Sequence, residues 1–134
     1  MRDLAKRAAI LDFEEVLKQQ PQLEIKPIHR FCSGVYIREI YIPKGCVLTG
    51  KIHRTEHFCE LVSGRIAFVT TDGAHVEALV APALFTAAAG TKKAIYAVEN
   101  SVFRNILATN ETDPEKIEAL FIAPTFEALE APTE

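Results

Sequence analysis

The sequence is poor in the features that mark several large classes of protein. No apolar run approaches the ~20 residues that span a bilayer. The opening residues, Met1-Arg2-Asp3-Leu4-Ala5-Lys6-Arg7, lack the continuous apolar stretch and cleavage pattern of a secretory signal. The expectation is a chain kept in the cytosol or carried elsewhere by an assembly. Cysteine is scarce. Cys32, Cys46 and Cys59 form an odd set without Cys-x-x-Cys spacing, which argues against a disulfide framework and for thiols in a reducing compartment. No Ser/His/Asp order, phosphate-cradling glycine loop or nucleic-acid motif stands out. Positive charge is also short: the net charge is -3, and residues 111–134 hold seven acids against Lys116 alone, so that tail carries -6 and residues 1–110 carry +3. A balance of that size spread over strands is no nucleic-acid stripe, so neither membrane nor nucleic acid is expected as a partner.

What is present suits one core. A chain of 134 residues with 49% hydrophobic content is long enough for one domain and too short for two ordinary ones. Residues 2–20 read as a helix, with Leu4, Ala8, Leu11, Phe13, Val16 and Leu17 at three- and four-residue steps; Pro21 stops it. Extended segments follow at 23–31, with Pro27 marking an edge strand, at 35–42 and at 46–52. Beyond Gly64, residues 65–71 alternate, Asp72-Gly73 signals a two-residue hairpin, and strands follow at 74–80, 84–88, 94–98 and 102–108. Short strands at regular intervals, with helix only at the ends, favour an antiparallel barrel or sandwich. Asp113 as N-cap and Pro114 at the first helical position start a short C-terminal helix, after which the chain reads as an extended acidic tail. The organisation is a helical segment over 1–22, a barrel over 23–110, and a short helix with its tail over 111–134.

The chemistry concentrates in His53-Arg54-Thr55-Glu56-His57, bracketed by Gly50 and Gly64. The pattern matches H-x-x-E-H, which binds metal on a helix, where residues four apart share a face. Here the flanks are strand-like, and in an unbroken strand the two histidines would stand roughly 13 Å apart, at ~3.3 Å per residue. They meet only if Arg54-Thr55-Glu56 turns the chain, so that His53 ends one strand and His57 opens its neighbour.

That arrangement resembles the first motif of the cupins, in which a glycine, an H-x-H pair, a glutamate and a later glycine bridge two strands of a double-stranded β-helix. Anchored on Gly64, the resemblance puts the family's glutamate on His57, its second histidine on His53 and its first on Lys51. The second motif, P-x-G-x-x-H, resembles Ala88-Ala89-Gly90-Thr91-Lys92-Lys93, with the metal-binding histidine replaced by Lys93. The chain is similar over about residues 28–120 to uncharacterised short cupin-like proteins encoded largely by tailed phages. The shared segments include Gly34-Val35-Tyr36, Ile42-Pro43-Lys44-Gly45, Gly50-Lys51-Ile52-His53 and Gly90-Thr91-Lys92-Lys93. The resemblance implies a mainly β, cupin-like jelly-roll barrel with an N-terminal helix and a short C-terminal helix, located in a host cytoplasm or a virion.

Two function classes follow. In the first, the chain is a non-enzymatic structural or binding protein of a phage particle or its assembly, a homo-oligomer through its terminal helices, in contact with other phage structural proteins. Its barrel mouth would hold an anion on Lys51, His53, His57, Lys93 and Arg104, and no cofactor is required. In the second, His53, His57 and Glu60 or Glu56 hold a divalent metal such as zinc, iron or nickel for a dioxygenase- or isomerase-like reaction. Two lysines at ligand positions weigh against the second, because an ammonium has no lone pair and repels a cation. His29 and His75 read as structural or solvated.

Overall fold

Strand alternation decides which side chains are buried here. The computed structural model describes residues 2–22 and 24–130. Helix α1 (Arg2–Lys18) precedes β1 (Ile28–Cys32), β2 (Val35–Ile42), β3 (Val47–Thr49), β4 (Ile52–His53) and β5 (His57–Ser63). After β6 (Arg65–Thr70), β7 (His75–Val80), β8 (Ala83–Ala87), β9 (Lys93–Ala97) and β10 (Ser101–Ala108), the chain returns through α2 (Pro114–Phe121), β11 (Ile122–Ala123) and α3 (Phe126–Glu130). The strands form one sheet in the order β1-β2-β10-β5-β8 and a second in the order β3-β9-β6-β7, with β11 paired to β4. Every pair is antiparallel. This is the jelly-roll expected from the sequence.

The two larger sheets face each other across one core, in which Ile40, Ile42, Leu61, Ile66, Ile95 and Phe103 are central. Each lies on the inward parity of its strand. On β5, His57, Cys59 and Leu61 are buried while Phe58 and Val62 are exposed, the period of two that a half-buried strand imposes. Turn glycines fix the corners. Gly64 joins β5 to β6 at φ +92°, and a Cβ there would lie 2.3 Å from both the Asn100 carbonyl oxygen and Ser101 Oγ. Only glycine fits that meeting of two turns.

Four local expectations change. The segment at 23–31 is strand only from Ile28, after Pro27, with Leu23 outside the described residues. The single strand at 46–52 is two, because the chain leaves the β3 pairing at Gly50 and β4 pairs with β11 instead. The β6–β7 loop has four residues, Thr71 to Ala74, with Thr70 N–H donating to the Ala74 carbonyl at 3.0 Å and Gly73 at φ +97°. The tail after α2 folds: Ala123 and Phe126 pack on Ile52 with Leu129 beside them, and Thr125 Oγ1 accepts from Ala128 N–H at 3.0 Å to start α3. Residues 131–134 lie outside the described chain. Among the described residues no helix is long and apolar enough to cross a membrane.

Helix α1 lies against the barrel through Arg7, Ile10, Glu14 and Leu17, a stripe at three- and four-residue steps, with Ile10 buried. Glu14 accepts from the Thr49 hydroxyl and from the buried Lys92 ammonium. Arg7 stacks over the Phe126 ring and pairs with Glu130, tying the two ends of the chain together.

Candidate functional site: a cationic cavity in the barrel

The turn expected at Arg54-Thr55-Glu56 is present, and it folds His53 and His57 onto each other with ring centroids 4.1 Å apart. They are not on hydrogen-bonded neighbours: β4 pairs with β11, whereas β5 pairs with β10 and β8. Three backbone contacts hold the β4 end: Arg54 N–H donates to the Phe121 carbonyl at 2.7 Å, Gly90 N–H to the His53 carbonyl at 2.8 Å, and Gly50 N–H to the Lys93 carbonyl at 2.9 Å. The last two bring both ends of the Gly90-Thr91-Lys92-Lys93 stretch to the histidine run, so Lys93 opens β9 beside it.

Both rings are fastened through Nδ1, 3.2 Å from the Lys51 carbonyl for His53 and 3.2 Å from the Thr55 carbonyl for His57. A carbonyl only accepts, so each Nδ1 carries the proton. The Cys59 thiol sits between His57 Nε2 at 3.6 Å and Asn105 Oδ1 at 3.4 Å. Burial, with the neighbouring His57 and Lys93 charges, pulls the His53 pKa down to about 3. Burial also lowers that of His57, with Lys93 adding to the effect against the Thr55 carbonyl. Both are therefore neutral imidazoles near pH 7. Burial raises the Cys59 thiol, leaving it unreactive.

His53 borders a cavity of about 440 Å³ inside the barrel, with His57 packed against it. Its walls are mainly apolar, with Ile40, Leu48, Ile95, Phe103 and Leu107 from the strands and Ile117 from α2. Its polar lining includes His53, Lys93, Asn105, Arg38 and Thr49, with His29 bound through Nδ1 to the Tyr36 hydroxyl at 2.7 Å. Arg38 and Lys93 both line this cavity, and neither makes an ion pair with a carboxylate among the described residues. Lys93 is only 7% exposed. The acids at the cavity, Glu115 and Glu118, belong to α2, and Glu118 is bound by the exposed Lys51.

The structure thus brings together three of the five residues expected to hold an anion, His53, His57 and Lys93, and keeps Lys51 at the rim in an ion pair. Arg104 is on the opposite face of its sheet. Its Nε donates to Glu39 at 2.6 Å and its Nη1 to Glu60 at 3.2 Å, directly across β2 and β5. Glu60 shares that outer face, because His57, Cys59 and Leu61 take the inward parity of β5; it cannot join the histidines. Glu56 is exposed in the turn, and His75 lies exposed on the edge strand β7. Arg38 was not among the expected residues, although it shares the parity of Tyr36, Ile40 and Ile42 on β2. Asn105, inward beside Phe103 and Leu107 on β10, was missed likewise.

The donor set does not fit a metal of the kind the cupin resemblance implies. Among the described residues no group of three His, Cys, Asp or Glu side chains converges. The position of a further ligand is taken by the Lys93 ammonium, whose charge opposes a cation.

No protein-family model matches the chain, and no curated protein matches it. Solved structures do. An uncharacterized conserved protein with a double-stranded β-helix domain from Klebsiella pneumoniae is 15% identical with a TM-score of 0.55, over 70% of this chain and 85% of that one. KdgF from Halomonas sp. is 16% identical with a TM-score of 0.54, over 67% and 84%. A cupin superfamily protein from Desulfitobacterium hafniense is 12% identical with a TM-score of 0.53, over 67% and 82%. The likeness is one of fold, and the fold is that of the cupins.

Proposed function

We propose that this cupin-fold chain is a non-enzymatic binding protein whose barrel holds a small organic anion with an apolar body. One observation carries the reading: Lys93 and Arg38 line the same mainly apolar cavity, and neither has a carboxylate partner among the described residues. A charge in such surroundings is costly unless a counter-charge is supplied. A carboxylate or phosphate on the ligand supplies it, and an aliphatic or aromatic body fills the walls formed by Leu48, Ile95 and Phe103. Arg38 offers a planar fork of donors to such a group, Lys93 a point charge, and Asn105 a neutral polar contact. His53, a neutral imidazole, lines the cavity without competing for the anion.

Isothermal titration against small carboxylic acids, sugar acids and phosphates tests the reading. At least one anion is expected to bind, with Lys93→Met and Arg38→Met each weakening it tenfold or more. Failure of every anion to bind, or tight binding unaffected by both substitutions, overturns it. A turnover abolished by both His53→Ala and His57→Ala, or a stoichiometric metal lost in His53→Ala, would establish the metal-dependent enzyme instead. The biological setting we propose is a phage particle or its assembly, supported by the sequence resemblance alone; mass spectrometry of purified particles tests it, and absence from them refutes it.

A further inference from the structure

The lining of the cavity is cationic within and acidic at its mouth. Strand register orders its layers from α2 inward. Ile117 and Phe121 of α2 pack with Tyr36 of β2 and Leu107 of β10, which face each other in register. The next inward pair along those strands is Arg38 with Asn105, and the one after it is Ile40 with Phe103. Arg38 therefore sits one inward step below the layer that carries the helix, about 7 Å at two residues of ~3.3 Å each. Lys93, only 7% exposed and without a carboxylate partner among the described residues, faces the same space from the second sheet.

Both acids that line the cavity come from α2. Glu115 and Glu118 are three residues apart and share one face of the helix, the face that borders the cavity. Lys51 occupies Glu118. Glu115 has no ion pair with any cation among the described residues. Burial raises the pKa of the Tyr36 hydroxyl, with Arg38 opposing the rise and Glu118 adding to it, so the two signs of charge act on one phenol in the wall. A plain anion with an apolar tail answers only the inner part of this lining. It enters past two acids, and its tail ends against an unpaired carboxylate.

We propose, resting on the anion reading of this cavity, that its ligand is a zwitterion: an ω-amino acid whose carboxylate meets Arg38 and Lys93, whose ammonium meets Glu115, and whose hydrocarbon chain lies between. Each end then makes charge-assisted hydrogen bonds, and the apolar walls cover the chain. An α-amino acid carries both charges on one carbon and cannot reach both ends. In 6-aminohexanoate six single bonds of ~1.5 Å, zigzagging, cover about the 7 Å step between Arg38 and the helix layer. Glu115 is exposed, so its pair with the ammonium is worth a few-fold in affinity, far less than the buried end.

Isothermal titration at low ionic strength against 6-aminohexanoate and hexanoate, the same chain without its amine, tests the assignment. The zwitterion is expected to bind at least fivefold tighter. Glu115→Gln should weaken 6-aminohexanoate and strengthen hexanoate, bringing the preference below twofold; damage to the fold would weaken both. Lys51→Met, which releases Glu118 to the cavity, should widen the preference. Both positions are exposed, and circular dichroism checks that each variant is folded. Hexanoate binding as tightly as the zwitterion, or a preference that survives the Glu115→Gln, Glu118→Gln double variant, overturns the zwitterion and leaves the anion reading standing. Failure of both compounds while other anions bind overturns it as well, and if no anion binds at all, both readings fall.

Discussion

Replacing His53 by glutamine should make the protein less sensitive to mild acid. His53 has an ordinary pKa of 6.5 when the chain is unfolded and one of about 3 when folded, because burial and the charges around it disfavour the imidazolium. Its folded value is depressed. Between the two values the unfolded chain therefore binds a proton that the folded chain does not, and stability falls as the pH drops through 6.5 towards 3. The slope approaches about 1.4 kcal/mol per pH unit, and integrating from about pH 7 to pH 5 gives a loss of about 2 kcal/mol. His57 is lowered too and adds to the slope in the same direction. Glu14 and Glu39 are also lowered, Glu14 by its hydrogen bonds to Thr49 and Lys92 against burial, Glu39 by Arg104 and Arg30. Their losses begin only below the ordinary carboxylate value of 4.5 and leave this window clear. Glutamine retains an amide donor for the Lys51 carbonyl but takes up no proton. Urea unfolding across the window should show the acid-induced loss in His53→Gln smaller by about 2 kcal/mol than in the unaltered protein, with m-values unchanged. Parallel stability-against-pH curves for the two proteins would refute the assignment of a neutral, buried His53.

Three further outcomes follow from single contacts. Lys93→Met should stabilise the ligand-free protein by about 1–2 kcal/mol, because it removes an unpaired buried charge, and thermal melts should rise accordingly. Gly64→Ala should cost about 3 kcal/mol or more, since its Cβ meets the Asn100 carbonyl and Ser101 Oγ in a turn at positive φ; the check is chemical denaturation or, if no folded protein is recovered, soluble yield. Phe126→Ala should cost about 3 kcal/mol by emptying the cluster with Ile52 and Ala123, and amide exchange of residues 114–130 should rise more than that of β2 and β10.

The parts of the fold legible in the sequence are those set by neighbouring residues. The strand over Val35–Ile42, the turn glycines at 34, 45 and 64, and the Asp113-Pro114 helix start all depend on local chemistry, and all stand where expected. The turn at Arg54-Thr55-Glu56 follows from geometry, since two histidines four residues apart in one extended strand cannot meet. What local pattern cannot supply is partnership. Nothing in Gly50-Lys51-Ile52-His53 says that the chain changes partners from β9 to a strand about seventy residues later, so 46–52 reads as continuous. The tail reads as extended and acidic, while Phe126 and Leu129 show their purpose only once Ile52 is beside them. Residue type and family position alone do not say which face of a strand a side chain takes. Strand parity was available from the same letters. It sets Glu60 opposite to His57, and Arg38 with Tyr36 and Ile40, and applying it removes Glu60 and Arg104 from the cavity and admits Arg38.

The interior of the barrel is arranged against its own stability. Lys93 lies in a largely apolar cavity, lowers the pKa of two histidines, and is answered by no acid among the described residues, although acids are close by elsewhere. Glu39 and Glu60 are held on the outer face by Arg104, Glu118 is held at the rim by Lys51, and Glu14 is taken up by Lys92, the neighbour of Lys93 in sequence. Each of these acids is held by another cation, and Glu115, which also borders the cavity, is exposed on α2, so none of them pairs with Lys93. A fold selected for packing alone would gain by placing an apolar residue at position 93, and lysine there is destabilising unless something of opposite charge enters. The same residue that makes the empty barrel less stable is thus the one that gives an entering anion its binding energy, and for that reason stability and binding are expected to move in opposite directions when it is replaced.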